Sequence, residues 1–152
     1  MDAQSYDIAL EKFSLRDNLL TETERWRVAL RPKQVTLGAL VLLPVRPIPD
    51  FDEVDAQEAA GLFGLVGVCQ RVLRDAFHPD RFNLIAAMMK DNFVHFHLVP
   101  RYAEVRDFEG VSWRDADWPA LVSFAGDRPV VPGREAVLLR LQKDFAGAAF
   151  QK

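Results

Sequence analysis

Two of the three histidines, His95 and His97, stand one residue apart in the stretch Phe93-Val94-His95-Phe96-His97-Leu98-Val99-Pro100-Arg101. In a β-strand, residues two apart point to the same face. The two imidazoles are therefore expected side by side, about 6–7 Å apart along the strand. Val94, Phe96 and Leu98 are then expected to point to the opposite face, towards the core.

A pair of imidazoles on one face of a strand suits three uses. One ring can attack phosphorus while the other binds the phosphate oxygens, because imidazole is partly unprotonated near neutral pH. Two neutral rings can also bind a metal ion if a further ligand, such as a carboxylate or His78, joins them. The third use is structural, with both rings bonded to backbone or carboxylate groups. Spacing alone leaves all three open.

Four segments have the pattern of β-strands, either strict alternation or a continuous apolar run. A short link of four residues, 88–91, joins the last two as a hairpin. The segments are Glu24 to Leu30, Leu37 to Leu43, Phe82 to Ala87 and Asn92 to Arg101.

Helical periodicity is clearest from Asp52 to Phe77, where apolar residues recur at the spacing of one helix face. Asp52 or Asp55 is the expected N-cap, and Pro79 follows the end. A short helix followed by an irregular link is expected within residues 7–20, an irregular tail over 103–132, and a last helix over about 133–149. This order predicts an α+β fold with a mostly antiparallel sheet and one long helix packed on it.

Composition excludes some functional classes. The 152 residues, 49% of them hydrophobic, predict a single domain over 1–152. With a formal net charge of −3, the chain has no excess of basic residues to bind the phosphate backbone of a nucleic acid. No apolar run approaches the roughly 20 residues of a membrane span, and the N-terminus lacks the pattern of a signal peptide. Since Cys69 is the only cysteine, no intrachain disulfide is expected, and the cytoplasm is the expected location.

Residues Phe93 to Arg101 resemble the signature of histidine-triad proteins, in which three histidines alternate with apolar residues and Pro-Arg often follows. The strand Gly38-Ala39-Leu40-Val41-Leu42-Leu43-Pro44 resembles the family's Gly-His-x-Leu-Val-Ile-Pro strand, and Arg46-Pro47 resembles the segment that follows in some members.

Three further features agree with this family in order and spacing. The predicted helix over 52–77 lies where the family has its helix, and Asn83 opens a strand expected to pair with the triad strand. Asp115 to Pro119, with Trp113 and Trp118, resembles the tail of a bacterial subgroup. The resemblance covers roughly residues 22–120.

The resemblance implies a two-step transfer. The middle histidine of the family, His95 here, attacks the α-phosphate of a nucleotide and forms a nucleotidyl-histidine, which water or another acceptor then cleaves. His97 matches the companion that binds the phosphate, and Asn83 and Lys90 are candidate substrate contacts. Dinucleoside polyphosphates such as diadenosine tetraphosphate are the expected substrates, with nucleoside phosphoramidates second. The family works without a cofactor and usually without a metal, and it forms homodimers that commonly use the long helix.

The sequence departs from the family pattern at four places. Phe93 stands at the first triad histidine, Ala39 at the histidine of the earlier strand, and Arg31 where an acidic or amide residue often holds the ribose. The Gly-Gln-Ser/Thr phosphate segment is replaced by residues 88–92, where Lys90 is a candidate for the lost phosphate contact. These departures keep an alternative open, namely a degenerate member that binds a nucleotide or a partner without catalysis.

Overall fold

The computed structural model describes residues 3–124 and 131–148, except for the side chain of Ser5. A five-stranded sheet has the order β1-β2-β3-β5-β4, with every neighbouring pair antiparallel. Its strands are β1 (Leu19–Glu22), β2 (Trp26–Leu30), β3 (Leu40–Pro44), β4 (Arg81–Ile85) and β5 (Phe96–Arg101). A separate hairpin consists of β6 (Arg106–Phe108) and β7 (Val111–Trp113). The helices of the described residues are α1 (Ala3–Lys12), α2 (Leu15–Asn18), α3 (Ala56–Phe77) and α4 (Arg134–Ala146). The predicted α+β class, with its mostly antiparallel sheet and long helix, is confirmed.

One face of the sheet forms the larger hydrophobic core, against α3 and α4. Alternate residues of the strands point to this side, as the period of two predicts. The sheet contributes Trp26, Val28, Leu30, Leu40, Leu42, Val94 and Leu98, and the helices contribute Leu62, Leu65, Cys69, Leu73, Val137 and Leu141. None of the helices formed by residues 3–124 and 131–148 has both the length and the apolar character needed to cross a bilayer.

Helix α3 begins at a reciprocal capping pair. The Asp55 carboxylate accepts from the Glu58 N–H at 2.7 Å, and the Glu58 carboxylate accepts from the Asp55 N–H at 2.9 Å. Asp55, one of the two expected caps, is therefore the N-cap, and the start predicted at Asp52 was early because Phe51–Glu53 forms a separate 3-10 turn. The helix ends at Phe77, as predicted, with His78 in the left-handed conformation.

The opposite face of the sheet carries a thinner cover. Tyr6 and Phe13, from α1 and the turn that follows it, pack on Ala29, Val41, Leu43 and Phe93. Farther along, Val35, Val122 and Phe124 pack around Ala39 and Val99. This face is therefore closed by the N-terminal segment and by a short piece of the tail.

The structure corrects two expectations about irregular segments. Residues 7–20 do not hold one helix and a link, because α1 starts at Ala3 and Leu19–Glu22 forms an edge strand. The tail over 103–132 is not irregular throughout, since β6 and β7 form a hairpin within it. Glu109 and Gly110 form its two-residue turn with φ of 48° and 76°, the pair of positive φ angles found in a type I′ turn.

Arg101, at the end of β5, holds the tail to the sheet. Its Nε donates to Asp115 at 2.7 Å and its Nη2 to the Ala120 carbonyl at 2.7 Å, while its Nη1 donates to Asn83 Oδ1 at 2.7 Å. The Arg101 and Asp115 side chains are 4% and 0% exposed. The backbone N–H of Tyr102 also donates to Asp115, at 3.2 Å. The family-like segment 115–119 is thus fixed by a buried ion pair.

We expect Asp115→Ala to lower the free energy of unfolding by about 3–5 kcal/mol, because it leaves the buried Arg101 guanidinium without its carboxylate. Urea unfolding measures this change. Asp107→Ala is the matched control, since Asp107 is exposed and bonds only to Ser112 among the described residues; its expected cost is below about 0.5 kcal/mol. Equal decreases in the free energy of unfolding for the two variants would show that the Arg101–Asp115 pair does not hold the tail.

Candidate active site at the histidine pair

The histidine pair lies at the centre of the thinly covered face. His97 is on β5, between Val41 of β3 and Ile85 of β4, and His95 immediately precedes the strand. The ring centroids are 5.2 Å apart and the rings are nearly perpendicular, at 86°. The two imidazoles therefore share a face, as their spacing predicts. Val94 and Leu98 lie in the opposite core, with Phe96 packed against it.

Both histidines are buried, with 4% of His95 and 7% of His97 exposed. Phe13 contacts both rings, at centroid distances of 5.8 Å from His95 and 6.3 Å from His97. Phe124 lies 4.9 Å from the His97 ring. Two phenyl rings, one from the N-terminal segment and one from the tail, thus cover the pair.

Nδ1 of His95 lies 2.8 Å from the carbonyl oxygen of Phe93. A carbonyl only accepts, so Nδ1 must carry the proton. Burial lowers the pKa of His95 below its ordinary value, although the bond to Phe93 and the Asp91 charge oppose this shift. A neutral ring protonated on Nδ1 leaves the lone pair on Nε2, which makes Nε2 the nucleophilic atom.

His97 is held neutral even more strongly. Burial, with the Arg31 charge and then His95 adding to it, lowers its pKa from 6.5 to about 3. Among the described residues its Nδ1 is buried without a hydrogen-bond partner. Since buried polar atoms in native proteins are rarely left unsatisfied, this nitrogen is a group that a bound ligand would engage.

Three charged residues surround the pair. The Arg31 guanidinium lies 4.4 Å from the centre of the Phe124 ring and lowers the pKa of both histidines. Lys12, just before Phe13, forms an ion pair of 2.8 Å with Asp91, in the loop that precedes His95. Sequence analysis identifies Arg31 only as a departure from the family pattern. Its place on the histidine face was nevertheless readable from the alternation of β2, which points Arg27, Ala29 and Arg31 to one side.

The other two candidate residues, Asn83 and Lys90, lie on β4 and in the loop that follows it. Asn83 lies on the histidine face of β4, but its amide oxygen accepts from Arg101 and its amide nitrogen donates to Phe82 O at 3.3 Å. Lys90 is exposed in the loop between β4 and β5. Their substrate contacts stay predictions.

The positions that depart from the family pattern are filled by packing. Phe93 is fully buried, 4.9 Å from the His95 ring and 5.1 Å from Tyr6. Ala39 is fully buried with Val99. The described residues contain no group of three or more His, Cys, Asp or Glu side chains placed to hold a metal ion, so neither His78 nor a carboxylate joins the pair.

Two open surface grooves lined by described residues lie elsewhere. One of about 500 Å³ runs between the β1–β2 turn and the exposed side of α3, and one of about 490 Å³ lies between α3 and α4. The sequence did not indicate the closed cover over the histidines. No local pattern marks Phe13 or Phe124 as a ring that reaches them.

Neither a protein-family model nor a curated protein matches the sequence. Solved structures do match. A histidine triad protein from Sinorhizobium meliloti superposes with a TM-score of 0.69 at 20% identity, over 91% of this chain and 94% of that one. For a histidine triad protein from Marinobacter aquaeolei the TM-score is 0.65 at 23% identity, over 91% and 96% of the two chains. A hypothetical histidine triad nucleotide-binding protein from Sulfolobus tokodaii superposes with a TM-score of 0.62 at 17% identity, over 90% of this chain and 91% of that one. The chain therefore has the histidine-triad fold, as the resemblance around His95 and His97 implied.

The lowered pKa of His97 predicts a specific pH dependence of stability. The unfolded chain takes up a proton on this ring below pH 6.5, whereas the folded chain stays neutral there until about pH 3. The neutral His97 ring therefore contributes its full stabilisation of the fold above pH 6.5. As the pH falls from 6.5 towards 3, the free energy of unfolding decreases by up to about 1.4 kcal/mol per pH unit. Urea unfolding between about pH 5 and pH 7.5 should show this slope, and His97→Gln should reduce it.

Ring-nitrogen chemical shifts provide a direct check on the same prediction. They should remain those of a neutral imidazole for His97 down to about pH 5, because its pKa lies well below that value. A protonation midpoint near the ordinary pKa of histidine, or an unchanged slope in His97→Gln, would contradict it.

Proposed function

We propose that this histidine-triad fold carries a nucleotide hydrolase or nucleotidyl transferase that acts at an α-phosphate, with His95 as the nucleophile and His97 as the residue that binds the phosphate. The observation that supports this most directly is the bond between His95 Nδ1 and Phe93 O. It fixes a neutral tautomer with the lone pair on Nε2, beside a second imidazole on the same face. The nucleotide-binding description of the Sulfolobus tokodaii protein agrees with this class of substrate.

The reaction proceeds by two displacements at phosphorus. Nε2 of His95 attacks the α-phosphorus, a P–N bond forms, and the bond to the leaving group breaks. A polyphosphate leaves as the anion, whereas an amine takes up a proton from solvent as it leaves. The ring becomes a nucleotidyl-imidazolium, whose remaining N–H donates to the Phe93 carbonyl. Water then attacks phosphorus and releases a proton to solvent, the electron pair of the P–N bond returns to Nε2, and a nucleoside monophosphate leaves with His95 restored. The covalent intermediate divides one difficult displacement into two easier ones.

The substrate class rests on the resemblance around Phe93 to Arg101. We propose dinucleoside polyphosphates such as diadenosine tetraphosphate, and nucleoside phosphoramidates second, with no cofactor or metal. Asn83 and Lys90 remain proposed substrate contacts. In this assignment Lys90 would approach the leaving phosphates from its exposed loop.

A degenerate protein that binds a nucleotide or a partner without catalysis is the second candidate. The burial of both imidazoles, under Phe13 and Phe124, favours it in the closed arrangement. Phe93 and Ala39 at two histidine positions of the family favour it as well. The two candidates differ in one measurable quantity, the release of nucleoside monophosphate.

The composition supports three further parts of the proposal. We assign one domain over residues 1–152, with a triad core of about 22–120, because α4 packs in the same core as α3. We assign the cytoplasm, since a single cysteine, Cys69, permits no intrachain disulfide. With a net charge of −3, we propose no nucleic-acid or membrane partner.

Chromatographic detection of adenosine monophosphate released from diadenosine tetraphosphate tests the proposed reaction. We expect turnover by the native protein, insensitive to a chelator, and a loss of roughly three orders of magnitude or more in His95→Ala. His78→Ala is the matched control, because His78 is exposed beyond the end of α3, and it should retain the native rate. Alkaline quenching with labelled substrate should trap the acid-labile P–N intermediate. Turnover that survives in His95→Ala would refute the assignment of the nucleophile, and no turnover by the native protein would favour the degenerate binder.

We propose that the homodimer forms through α3. Phe63 is 66% exposed beside a groove of about 500 Å³ that Gly61, Gly64 and Gly67 help to line. A projecting ring and a groove on one surface are self-complementary about a two-fold axis, since each copy inserts its ring into the other.

Light scattering after size exclusion tests this interface. We expect a dimer for the native protein and a monomer for Phe63→Asp, because the substitution removes the apolar ring that fills the partner's groove and puts a carboxylate in its place. Leu139→Asp is the control, since Leu139 is a similarly exposed residue of α4, at 59%, outside the groove. A native monomer, or dissociation by both substitutions, would rule out this interface.

A further inference from the structure

Phe13 is the one ring that covers both imidazoles among the described residues. It is 6% exposed itself and contacts His95 and His97, whereas Phe124 reaches only His97. A phosphate group cannot approach a nucleophile that is 4% exposed. Access to Nε2 of His95 therefore requires that a covering side chain move.

The segment that carries Phe13 is held by the packing of Tyr6 and Phe13 in the smaller core and by polar contacts at Tyr6 and Lys12. Tyr6 donates to the Pro44 carbonyl and packs edge-on against Phe93. Lys12 binds both carboxylate oxygens of Asp91, at 2.8 and 2.9 Å. The Lys12 side chain is 52% exposed, so water and salt weaken this ion pair. The outer side of α1 faces solvent.

A break in the helix separates this segment from the body of the protein. Ser14 adopts the left-handed conformation, with φ 48° and ψ 48°, between α1 and α2. Just after the break, Asn18 donates to the Phe13 carbonyl at 3.1 Å and accepts from Arg134 at 2.6 Å. The chain is thus anchored to α4 after Ser14, and α1 extends from that anchor over the histidines.

We propose that residues 3–13 form an autoinhibitory cover, hinged at Ser14, that closes the His95–His97 site until α1 and Phe13 move away. In the closed state Phe13 occupies the approach to both imidazoles, and the Lys12–Asp91 pair acts as its latch. Opening breaks that pair and exposes Nε2 of His95 without disturbing the core around α3 and α4. The inference rests on the proposed function only for turnover, since the accessibility of His95 is measured separately.

Carbethoxylation by diethyl pyrocarbonate measures that accessibility, with His95, His97 and His78 resolved by fragmentation of their peptides. The reagent attacks the neutral ring, and at about pH 7.5 the lowered pKa of His95 ensures that protonation does not limit the rate. The exposed His78 is the internal reference in every sample. In Phe13→Ala we expect the rate at His95, relative to His78, to rise about tenfold or more, as the loss of one buried phenyl ring implies.

Phe145→Ala controls for loss of stability. It also removes a buried phenyl ring, 2% exposed, but from α4 in the opposite core. It should leave the rate at His95 unchanged under native conditions. A rate in Phe13→Ala no higher than in the native protein, or no higher than in Phe145→Ala, overturns the cover.

The latch gives an independent arm that leaves the core intact. Lys12→Glu places two like charges together and should raise the rate at His95 roughly two- to fivefold. The double change Lys12→Glu with Asp91→Lys restores an ion pair and should return the rate towards the native value. Lys143→Glu, an exposed charge reversal on α4, should have no effect. The latch is overturned if Lys12→Glu does not raise the labelling rate at His95, or if the double change does not bring the raised rate back towards the native value.

Release of adenosine monophosphate distinguishes this inference from the proposed function. If both hold, Phe13→Ala raises kcat/KM by about the factor seen in labelling. Faster labelling without release by any variant supports the cover and refutes the hydrolase. Release by the native protein with unchanged labelling in Phe13→Ala refutes the cover and leaves the hydrolase standing.

Discussion

The register of β5 between β3 and β4 is the constraint on which the rest of the structure depends. Leu98 pairs with Leu40 and Leu84, while His97 pairs with Val41 and Ile85. A slip of one residue would exchange the faces and move the imidazoles into the core under α3. Burial of Val94 and Leu98 against that helix therefore fixes the positions of His95 and His97, although both apolar residues lie on the opposite face of the sheet. The position of the histidines is a consequence of hydrophobic packing on the other side of the sheet.

A second constraint acts at the end of the same strand. Arg101 binds Asp115 and the Ala120 carbonyl, which brings the chain back across the sheet after the β6–β7 hairpin. Val122 and Phe124 follow within four residues of that anchor and pack on the histidine face. The amide oxygen of Asn83 also accepts from Arg101 in this network. The buried ion pair thus helps to position Phe124, which contacts the His97 ring.

How much of this follows from the sequence depends on whether the determining interaction is local. The alternation of β2 and β5, the periodicity of α3 and the Asp55 cap are local patterns, and they predicted the sheet, the helix and the shared face of His95 and His97. Leu19–Glu22 has too few residues to show a period, and its strand exists because it pairs with β2. Phe13 and Phe124 are distant in sequence from the residues that they cover. Their contacts arise only when the N-terminal segment and the tail fold onto one face, which no local spacing encodes.

Burial at this site links the reactivity of the imidazoles to their accessibility. Removal of water keeps both rings neutral, which the proposed nucleophile, His95, requires. It lowers the pKa of His97 to about 3, since the phenyl rings exclude solvent and the nearby Arg31 charge adds to the effect. An anionic phosphate beside His97, or water in place of the phenyl rings, favours the protonated ring and raises its pKa. The interactions that keep His95 neutral are therefore also the ones that keep it closed.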